Sequence, residues 1–163
     1  MKGGMIRNGF MREGPVKLDA QGHKGRVARK NPCASCPFRQ NVPSGVWDES
    51  EYEKLKEYDG ETHEQTSVAT FLCHHGDGQV CSGWLGHRDP LDMLAVRIGI
   101  SLGKLDPSVA EYTTSVPLFE TGAAAAEHGM KEIEAPGPKA AETIKKVIKR
   151  RNVSETNTES EIV

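Results

Sequence analysis

Four cysteines, together with the histidines near them, are the residues whose types and spacing could do chemistry. The cysteines form two pairs, a C-x-x-C pair at Cys33 and Cys36 and a C-x7-C pair at Cys73 and Cys81. Thiolates are the soft ligands that zinc ions and iron–sulfur clusters take from proteins. A C-x-x-C turn presents two sulfurs on one side, and a second pair could complete a four-coordinate site. The spacing therefore predicts one metal centre held by all four cysteines.

Two features of the spacing bear on the identity of the metal. Pro37 follows the second cysteine, so that position has no backbone N–H to offer a thiolate. The seven residues between Cys73 and Cys81 exceed the spacing of ordinary zinc pairs. Iron–sulfur proteins space their cysteines more widely, and a Cys-Pro step occurs in ferredoxin-type sequences. We favour an iron–sulfur cluster and keep a zinc ion as the alternative.

Several residues close to the cysteines in sequence could support such a centre. His74 could replace a cysteine as a ligand or form a hydrogen bond with one, and His87 could also reach the site. Arg39 and Arg88 could offset the negative charge of four thiolates, and Trp84 could exclude water from them. Each residue also has a plain structural interpretation, since loop histidines, surface arginines and core tryptophans are common.

Interpretations of the cysteines that involve no metal also remain open. They could be inert buried thiols, local disulfides or a thioredoxin-type dithiol at CASC. Pro32 and Pro37 flank that motif, where a thioredoxin-type site has a strand and a helix. His75 is expected to be exposed. No Ser/His/Asp triad and no carboxylate pair is visible, so no catalytic residue is assigned and enzymatic activity is left open.

The elements that must position the cysteines can be predicted from caps and periodicity. A helix near 48–58 has Asp48 as its N-cap and Glu51 in position for a capping box. A short strand over 66–73, rich in β-branched and apolar residues, delivers Cys73 at its end. Asp89, Pro90 and Gly103 bound a buried helix over 90–102. Its predicted inward face is formed by Leu91, Leu94, Ala95, Ile98 and Leu102. Further helices are predicted over 123–127, stopped at Gly129, and over 139–151.

Charge and composition divide the chain of 163 residues into three parts. Residues 1–30 carry eight Lys or Arg against two acidic residues and show no periodicity, which predicts a disordered basic arm. Residues 31–151 are predicted to form one cysteine-rich metal-binding domain, and 152–163 a disordered tail. The predicted fold class is α+β, mainly helical, with a short strand and a four-cysteine centre.

Composition also bears on location and partners. The N-terminus lacks the apolar stretch of a signal peptide, and no run is long enough to span a membrane, so a cytoplasmic protein is expected. In that reducing compartment, metal or redox chemistry is more common than structural disulfides. The basic arm and the helix end at 145–151 could contact phosphates. Phe10 is the one aromatic residue in either segment, so nucleic-acid binding is weakly supported.

The segments NPCASCPFR, VPSGVW, FLCHH and CSGWLGH occur in that order. Together they resemble an uncharacterised family of small cysteine-rich proteins from actinobacteria and their phages, over about residues 31–103. The resemblance implies a four-cysteine site at Cys33, Cys36, Cys73 and Cys81, with His74 after the third, and no known reaction. If the chain is encoded by a phage, its compartment is the host cytoplasm. A fainter likeness to the WhiB-type iron–sulfur regulators rests on four cysteines and a G-V-W triplet, but the cysteine order differs.

The leading functional hypothesis is a small non-enzymatic accessory protein that binds a metal or an iron–sulfur cluster. It would sense redox state or contact an unidentified macromolecular partner. One alternative is a redox enzyme in which the cluster or the Cys33/Cys36 pair carries electrons. Another is a zinc-stabilised module that binds nucleic acid.

Overall fold

The computed structural model describes residues 25–75 and 78–159. Within these residues the chain is mainly helical and forms one small domain. The α-helices are α1 (Glu49–Glu53), α2 (Ser82–Gly86), α3 (Leu94–Ser101), α4 (Gly122–Met130) and α5 (Pro138–Glu159). Single turns of 3-10 helix lie at Lys54–Tyr58, Pro90–Asp92 and Pro107–Glu111. In the described residues no helix is long and apolar enough to cross a membrane.

The strand predicted over 66–73 is wrong, because that segment makes a single bridge rather than a ladder. Leu72 pairs with Val80 in an antiparallel bridge. The Cys73 N–H donates to the Gln79 carbonyl over 2.8 Å, and the Cys81 N–H donates to the Phe71 carbonyl over 2.8 Å. The chain turns back immediately after Cys73, so no longer ladder can form. The resulting narrow hairpin brings the second cysteine pair together across its two arms.

The first helix begins where its cap predicts. The Asp48 carboxylate accepts a hydrogen bond from the Ser50 N–H over 2.9 Å, which satisfies one of the free donors of α1. The capping box is not formed, because the Glu51 carboxylate pairs with Lys54 over 3.0 Å instead of returning to the cap. After Glu53 the helix tightens into the 3-10 turn that ends at Tyr58.

The predicted helix over 90–102 is broken at Met93, and the break changes the face that it buries. Asp89 caps a 3-10 turn by accepting from the Leu91 N–H over 2.9 Å. Met93 is then extended, with φ −92° and ψ 122°, before α3 begins. This break shifts the helical register, so Leu91 is 45% exposed and Leu102 is 65% exposed, against prediction. The buried positions are Met93, Ala95, Val96 and Gly99.

An aromatic cluster forms the centre of the core. Phe38, Tyr58, Phe71 and Trp84 are fully buried. Tyr58 meets Phe71 and Trp84 edge to face, with ring centroids 6.0 Å and 5.2 Å apart. The Tyr58 hydroxyl donates to the Ala69 carbonyl over 2.9 Å, and burial raises the pKa of Tyr58 to about 12. Since Trp84 belongs to α2, this cluster holds the helix that follows Cys81.

Both predicted termini have different boundaries in the structure. Residues 25–30, assigned to the arm, join the domain through parallel bridges from Arg26 to Leu105 and from Ala28 to Val80. α5 continues to Glu159, inside the predicted tail, because neither Gly nor Pro follows Pro138 to stop it. The rest of the predicted arm, residues 1–24, and residues 160–163 lie outside the described residues.

The helix α4 is longer than predicted and packs against the first helical segment. Thr121 caps it by accepting from the Ala124 N–H over 3.1 Å. Gly129, predicted as its stop, lies inside the helix. A Cβ atom at Gly129 would overlap the ring of Tyr52, so only glycine permits this close approach.

Replacing Gly129 with alanine should therefore destabilise the fold by about 1–3 kcal/mol, because the added methyl group must displace the buried ring of Tyr52. The measurement is urea unfolding followed by tryptophan fluorescence. Gly137→Ala is the matched control, since the nearest atom to its new Cβ is a Glu132 oxygen at 3.7 Å. Equal stability of the two variants would contradict the close packing of α4 on Tyr52.

Candidate metal centre

The four cysteines are free thiols, and each is buried. Cys33 and Cys36 lie in the loop that follows the bridged segment 25–30. Cys73 ends the first arm of the hairpin, and Cys81 is the N-cap residue of α2. Three separate parts of the chain thus deliver sulfur atoms into one interior region.

The structure brings the two cysteine pairs together. The Sγ atoms of Cys36 and Cys81 are 3.8 Å apart, although 45 residues separate them in sequence. The Cys33 side chain interacts with those of both Cys36 and Cys73. Two thiolates on one tetrahedral ion, each at about 2.3 Å from the metal, lie about 3.8 Å apart. The separation of the Cys36 and Cys81 sulfurs is therefore compatible with ligation of one ion by both.

Local hydrogen bonds shape the loop that carries the first pair. The Cys36 N–H donates to the Cys33 carbonyl over 3.0 Å, which closes a tight turn between the two thiols. The Arg39 N–H donates to the Cys36 carbonyl over 3.0 Å, and the Arg39 guanidinium donates to the Pro32 carbonyl over 3.2 Å. Arg39 thus braces the loop through its backbone carbonyls.

The pKa values of Cys33, Cys36 and Cys73 are shifted in different directions. The pKa of Cys33 lies far below its usual value, because the thiols of Cys36 and Cys73 hydrogen-bond to its thiolate, against the opposing effect of burial. The same interactions with Cys33, together with burial, raise the pKa of Cys36 and of Cys73. These opposite directions arise because the three side chains interact, so ionisation of one thiol disfavours ionisation of its neighbours.

Two histidines stand next to Cys33. The His74 ring nitrogens are 3.7 Å and 3.8 Å from the Cys33 sulfur, and the His74 Nε2 is 2.8 Å from the Ser35 hydroxyl. Burial lowers the pKa of His74, and the thiolate of Cys33 opposes that shift. His75, expected to be exposed, is half-buried, and its Nε2 is buried without a hydrogen-bond partner. Cys33, His74 and His75 present ligand atoms that all lie within 4.8 Å of one another and could hold a metal ion.

A tryptophan that the spacing did not connect with the cysteines holds this histidine in place. The Trp47 indole N–H donates to the Ser35 carbonyl over 2.8 Å. Its ring meets His74 edge to face, with centroids 4.5 Å apart. The Arg151 guanidinium lies 6.0 Å from the centroid of the Trp47 ring, at the range of a cation–π contact. Ser35 lies inside the C-x-x-C motif, which is the one sequence signal for its role.

The other predicted supporting residues lie elsewhere. The Arg88 guanidinium donates to the carbonyls of Tyr58 and Gly60 over 3.2 Å and 3.0 Å. The guanidinium of Arg39 is hydrogen-bonded to the Pro32 carbonyl and the Asn41 side chain. Neither arginine makes a hydrogen bond to a thiol. Trp84 is an ordinary core residue of the aromatic cluster, and its indole N–H is buried without a partner.

His87 is buried against the core rather than among the cysteines. Its Nδ1 is 2.5 Å from the Trp84 carbonyl, so this nitrogen carries the proton and donates. Its ring stacks on Phe38, with centroids 4.5 Å apart. Burial lowers the pKa of His87 to about 4. The folded protein thus favours the neutral form of the His87 ring.

The lowered pKa of His87 makes the free energy of unfolding decrease as the pH falls. His87 is neutral in the folded protein down to its pKa of about 4, whereas a histidine in the unfolded chain is protonated below about pH 6.5. Its contribution is complete above pH 6.5 and decreases as the pH falls toward 4, by a total on the order of 3 kcal/mol. The free energy of unfolding between pH 7.5 and 4.5 should fall less steeply in His87→Gln. The exposed His63 supplies the control, since His63→Gln should keep the steep dependence.

A glycine in α2 lets the Cys36 sulfur reach its position. A Cβ atom at Gly83 would overlap the Cys36 Sγ and approach the Phe38 Cβ to 3.4 Å. Only a residue without a side chain can therefore stand beside this thiol. The requirement is not visible from spacing, because Gly83 and Cys36 are far apart in sequence.

Gly83→Ala should displace the Cys36 sulfur, reduce bound metal and lower the free energy of unfolding by about 1–3 kcal/mol. Metal analysis of anaerobically purified protein and urea unfolding provide the two readouts. Ser82→Ala, on the same helix, removes a buried hydroxyl that has no partner and should leave both values close to wild type. Unchanged metal content in Gly83→Ala would show that metal binding does not require the Cys36 sulfur to lie against Gly83.

Comparison with known proteins agrees with the sequence resemblance at the level of the family. A family of unknown function, DUF6283, matches residues 28–151, a longer stretch than the 31–103 covered by the quoted motifs. No curated protein and no solved structure matches the chain. The source in actinobacteria or their phages stays a prediction. The chain belongs to the DUF6283 family of unknown function.

Proposed function

We propose that this protein binds a metal centre through the thiolates of Cys33, Cys36, Cys73 and Cys81 and acts as a small accessory protein. The observation that carries the proposal is the 3.8 Å contact between the Cys36 and Cys81 sulfurs, which joins the two pairs. The Cys33 side chain also interacts with those of Cys36 and Cys73. Buried thiols gathered from three segments are the arrangement that a shared soft metal stabilises.

Neighbouring buried thiols cannot all ionise without a cation, because like charges repel. The pKa values of Cys36 and Cys73 are raised by their interactions with Cys33 and by burial, which favours their protonated forms. A metal would replace those protons and neutralise the buried charge, so its binding free energy would add to the stability of the fold. It would also connect the loop 33–36 to the hairpin and to α2.

For the identity of the centre we propose an iron–sulfur cluster first and a zinc ion second. A single tetrahedral ion needs every pair of sulfurs about 3.8 Å apart. Among the described residues, the set with all ligand atoms within 4.8 Å of one another is Cys33, His74 and His75, so the four sulfurs form a more open set. A cluster distributes its thiolates over separate iron atoms and accepts such a set. The zinc alternative is supported by those same histidines, because imidazole is a common zinc ligand.

A redox enzyme is the second candidate function, and one observation favours it. Cys33 forms part of the wall of a pocket on the surface of the domain. A small molecule in that pocket could exchange electrons with the centre through this sulfur. The accessory role remains the first proposal because no described side chain near Cys33 forms a triad or a carboxylate pair.

Substituting each cysteine singly with serine should remove most of the metal and lower the unfolding temperature, because an incomplete ligand set leaves buried charge unbalanced. The measurement is iron, sulfide and zinc content after anaerobic purification, together with the visible spectrum. A brown protein with broad absorbance would identify a cluster, and a colourless one with one zinc per chain would identify the alternative.

His74→Ala and His75→Ala separate the two ligand sets. If all four thiolates bind, both histidine variants should keep their metal, and the cysteine variants should lose it. Loss of metal in the histidine variants, with Cys36→Ser and Cys81→Ser unaffected, would replace the four-cysteine centre with one at Cys33, His74 and His75. Wild-type protein without metal, and with unchanged folding in all four serine variants, would refute both.

A further inference from the structure

A polar pocket of about 450 Å³ opens beside the first cysteine. Residues 29–34, which lead into and begin the C-x-x-C motif, line it together with Gln79 and with Arg150 from α5. The polar and charged side chains around it are those of Arg29, Lys30, Asn31, Gln79 and Arg150, with Cys33 between them. The pocket thus connects solvent with one ligand of the proposed centre.

The lining of this pocket is strongly cationic. Arg29 and Lys30 come from the segment before the cysteines, and Arg150 comes from α5. Among the described residues that line it there is no carboxylate. Asn31 and Gln79 add amide groups, which can donate hydrogen bonds. Three positive charges around one concavity create a local potential that attracts and holds anions.

We propose that this pocket binds a small anionic ligand, through a phosphate or carboxylate group, against the Cys33 wall. The proposal deepens the proposed function, because it names the class of ligand that reaches the same centre. Arginine guanidinium groups suit both anions, since their planar forks donate two parallel hydrogen bonds to phosphate or carboxylate oxygens. Lys30 adds a third charge without a fixed geometry.

The backbone around the pocket is held in place without the ligand. The Arg29 N–H donates to the Val80 carbonyl over 3.0 Å, and the Tyr112 hydroxyl donates to the Lys30 carbonyl over 3.1 Å. The Gln79 carbonyl is fixed by the N–H of Cys73 over 2.8 Å. On the α5 side, Val147 is buried and anchors the turn that carries Arg150. A site held in this way loses little conformational entropy when a ligand binds.

Charge compensation of the thiolates alone does not account for this arrangement. Cations that only neutralised sulfur would be expected to pack against it, whereas these surround a space of about 450 Å³. That volume falls within the range of about 300–1,000 Å³ typical of small-molecule sites. A concave site of this size fits a small anion better than the regular backbone of a nucleic-acid duplex.

The test is calorimetric titration of the full-length, anaerobically purified chain with pyrophosphate and, separately, with citrate at constant ionic strength. The two probes distinguish a phosphate site from a carboxylate site. Saturable binding of at least one is expected, and Arg29→Gln and Arg150→Gln should each weaken it by about tenfold or more. Lys131→Gln removes one exposed charge from the end of α4 and should change the affinity by less than about twofold.

Three results would overturn the proposal. One is no saturable binding of either probe, and another is equal weakening by Lys131→Gln, which would mean general charge attraction. The third is salt-dependent binding of a DNA duplex through the same arginines in the absence of probe binding. Because Arg150 is exposed on a helix, Arg150→Gln tests the pocket even if Arg29→Gln fails to fold.

Metal content measured on the same samples separates this proposal from the previous one. If every variant retains its metal and no anion binding is detected, the proposed anion site is wrong and the proposed metal centre is unaffected. If the protein contains no metal but its anion binding still depends on Arg29 and Arg150, the four-thiolate centre is wrong and the anion site is supported.

Discussion

The burial of four thiol groups in one interior region is the constraint on which the rest of this structure depends. Interactions with Cys36 and Cys73 lower the pKa of Cys33, and the interactions with Cys33 together with burial raise the pKa of Cys36 and of Cys73. Each further ionisation would place like charges side by side in an interior with little water. The fold must therefore either keep protons on these sulfurs or supply a cation. This requirement explains why the loop 33–36, the hairpin and α2 converge although they share no ladder of backbone hydrogen bonds.

The surroundings of the sulfurs hold them in position. Gly83 lets the Cys36 sulfur approach the backbone of α2. Trp47 fixes the Ser35 carbonyl, and it also packs on the His74 ring that borders Cys33. Such contacts reach across parts of the chain that are distant in sequence, so the position of each thiol depends on the packing of the whole core. Ligand groups that are oriented by a rigid shell bind a metal with less loss of entropy.

Parts of this arrangement could be predicted because they depend on local chemistry. The N-caps Asp48 and Asp89 follow from capping rules. The spacing of the cysteines predicts that the two pairs meet, and the Cys36 and Cys81 sulfurs are 3.8 Å apart. The failures have non-local causes. The extended residue Met93 breaks a continuous apolar pattern, so Leu91 and Leu102 reach solvent. The 66–73 segment has high β-propensity but only the short hairpin arm to pair with. The roles of Gly83 and His75 depend on what lies beside them in space, and one sequence contains no signal for that.

The cationic pocket and the thiolate centre share an electrostatic environment, and this sets what a ligand there could do. Arg29, Lys30 and Arg150 surround the pocket, and Cys33 is both part of its wall and a proposed ligand of the centre. An anion bound beside Cys33 would disfavour additional negative charge on the centre. By linkage, additional negative charge on the centre would lower the affinity for the anion by the same factor. A zinc centre does not change oxidation state, so it would show one anion affinity. A cluster would bind the anion more tightly when oxidised than when reduced, because the added electron increases the negative charge nearby. The dependence of anion affinity on oxidation state therefore distinguishes a sensor from a structural metal site.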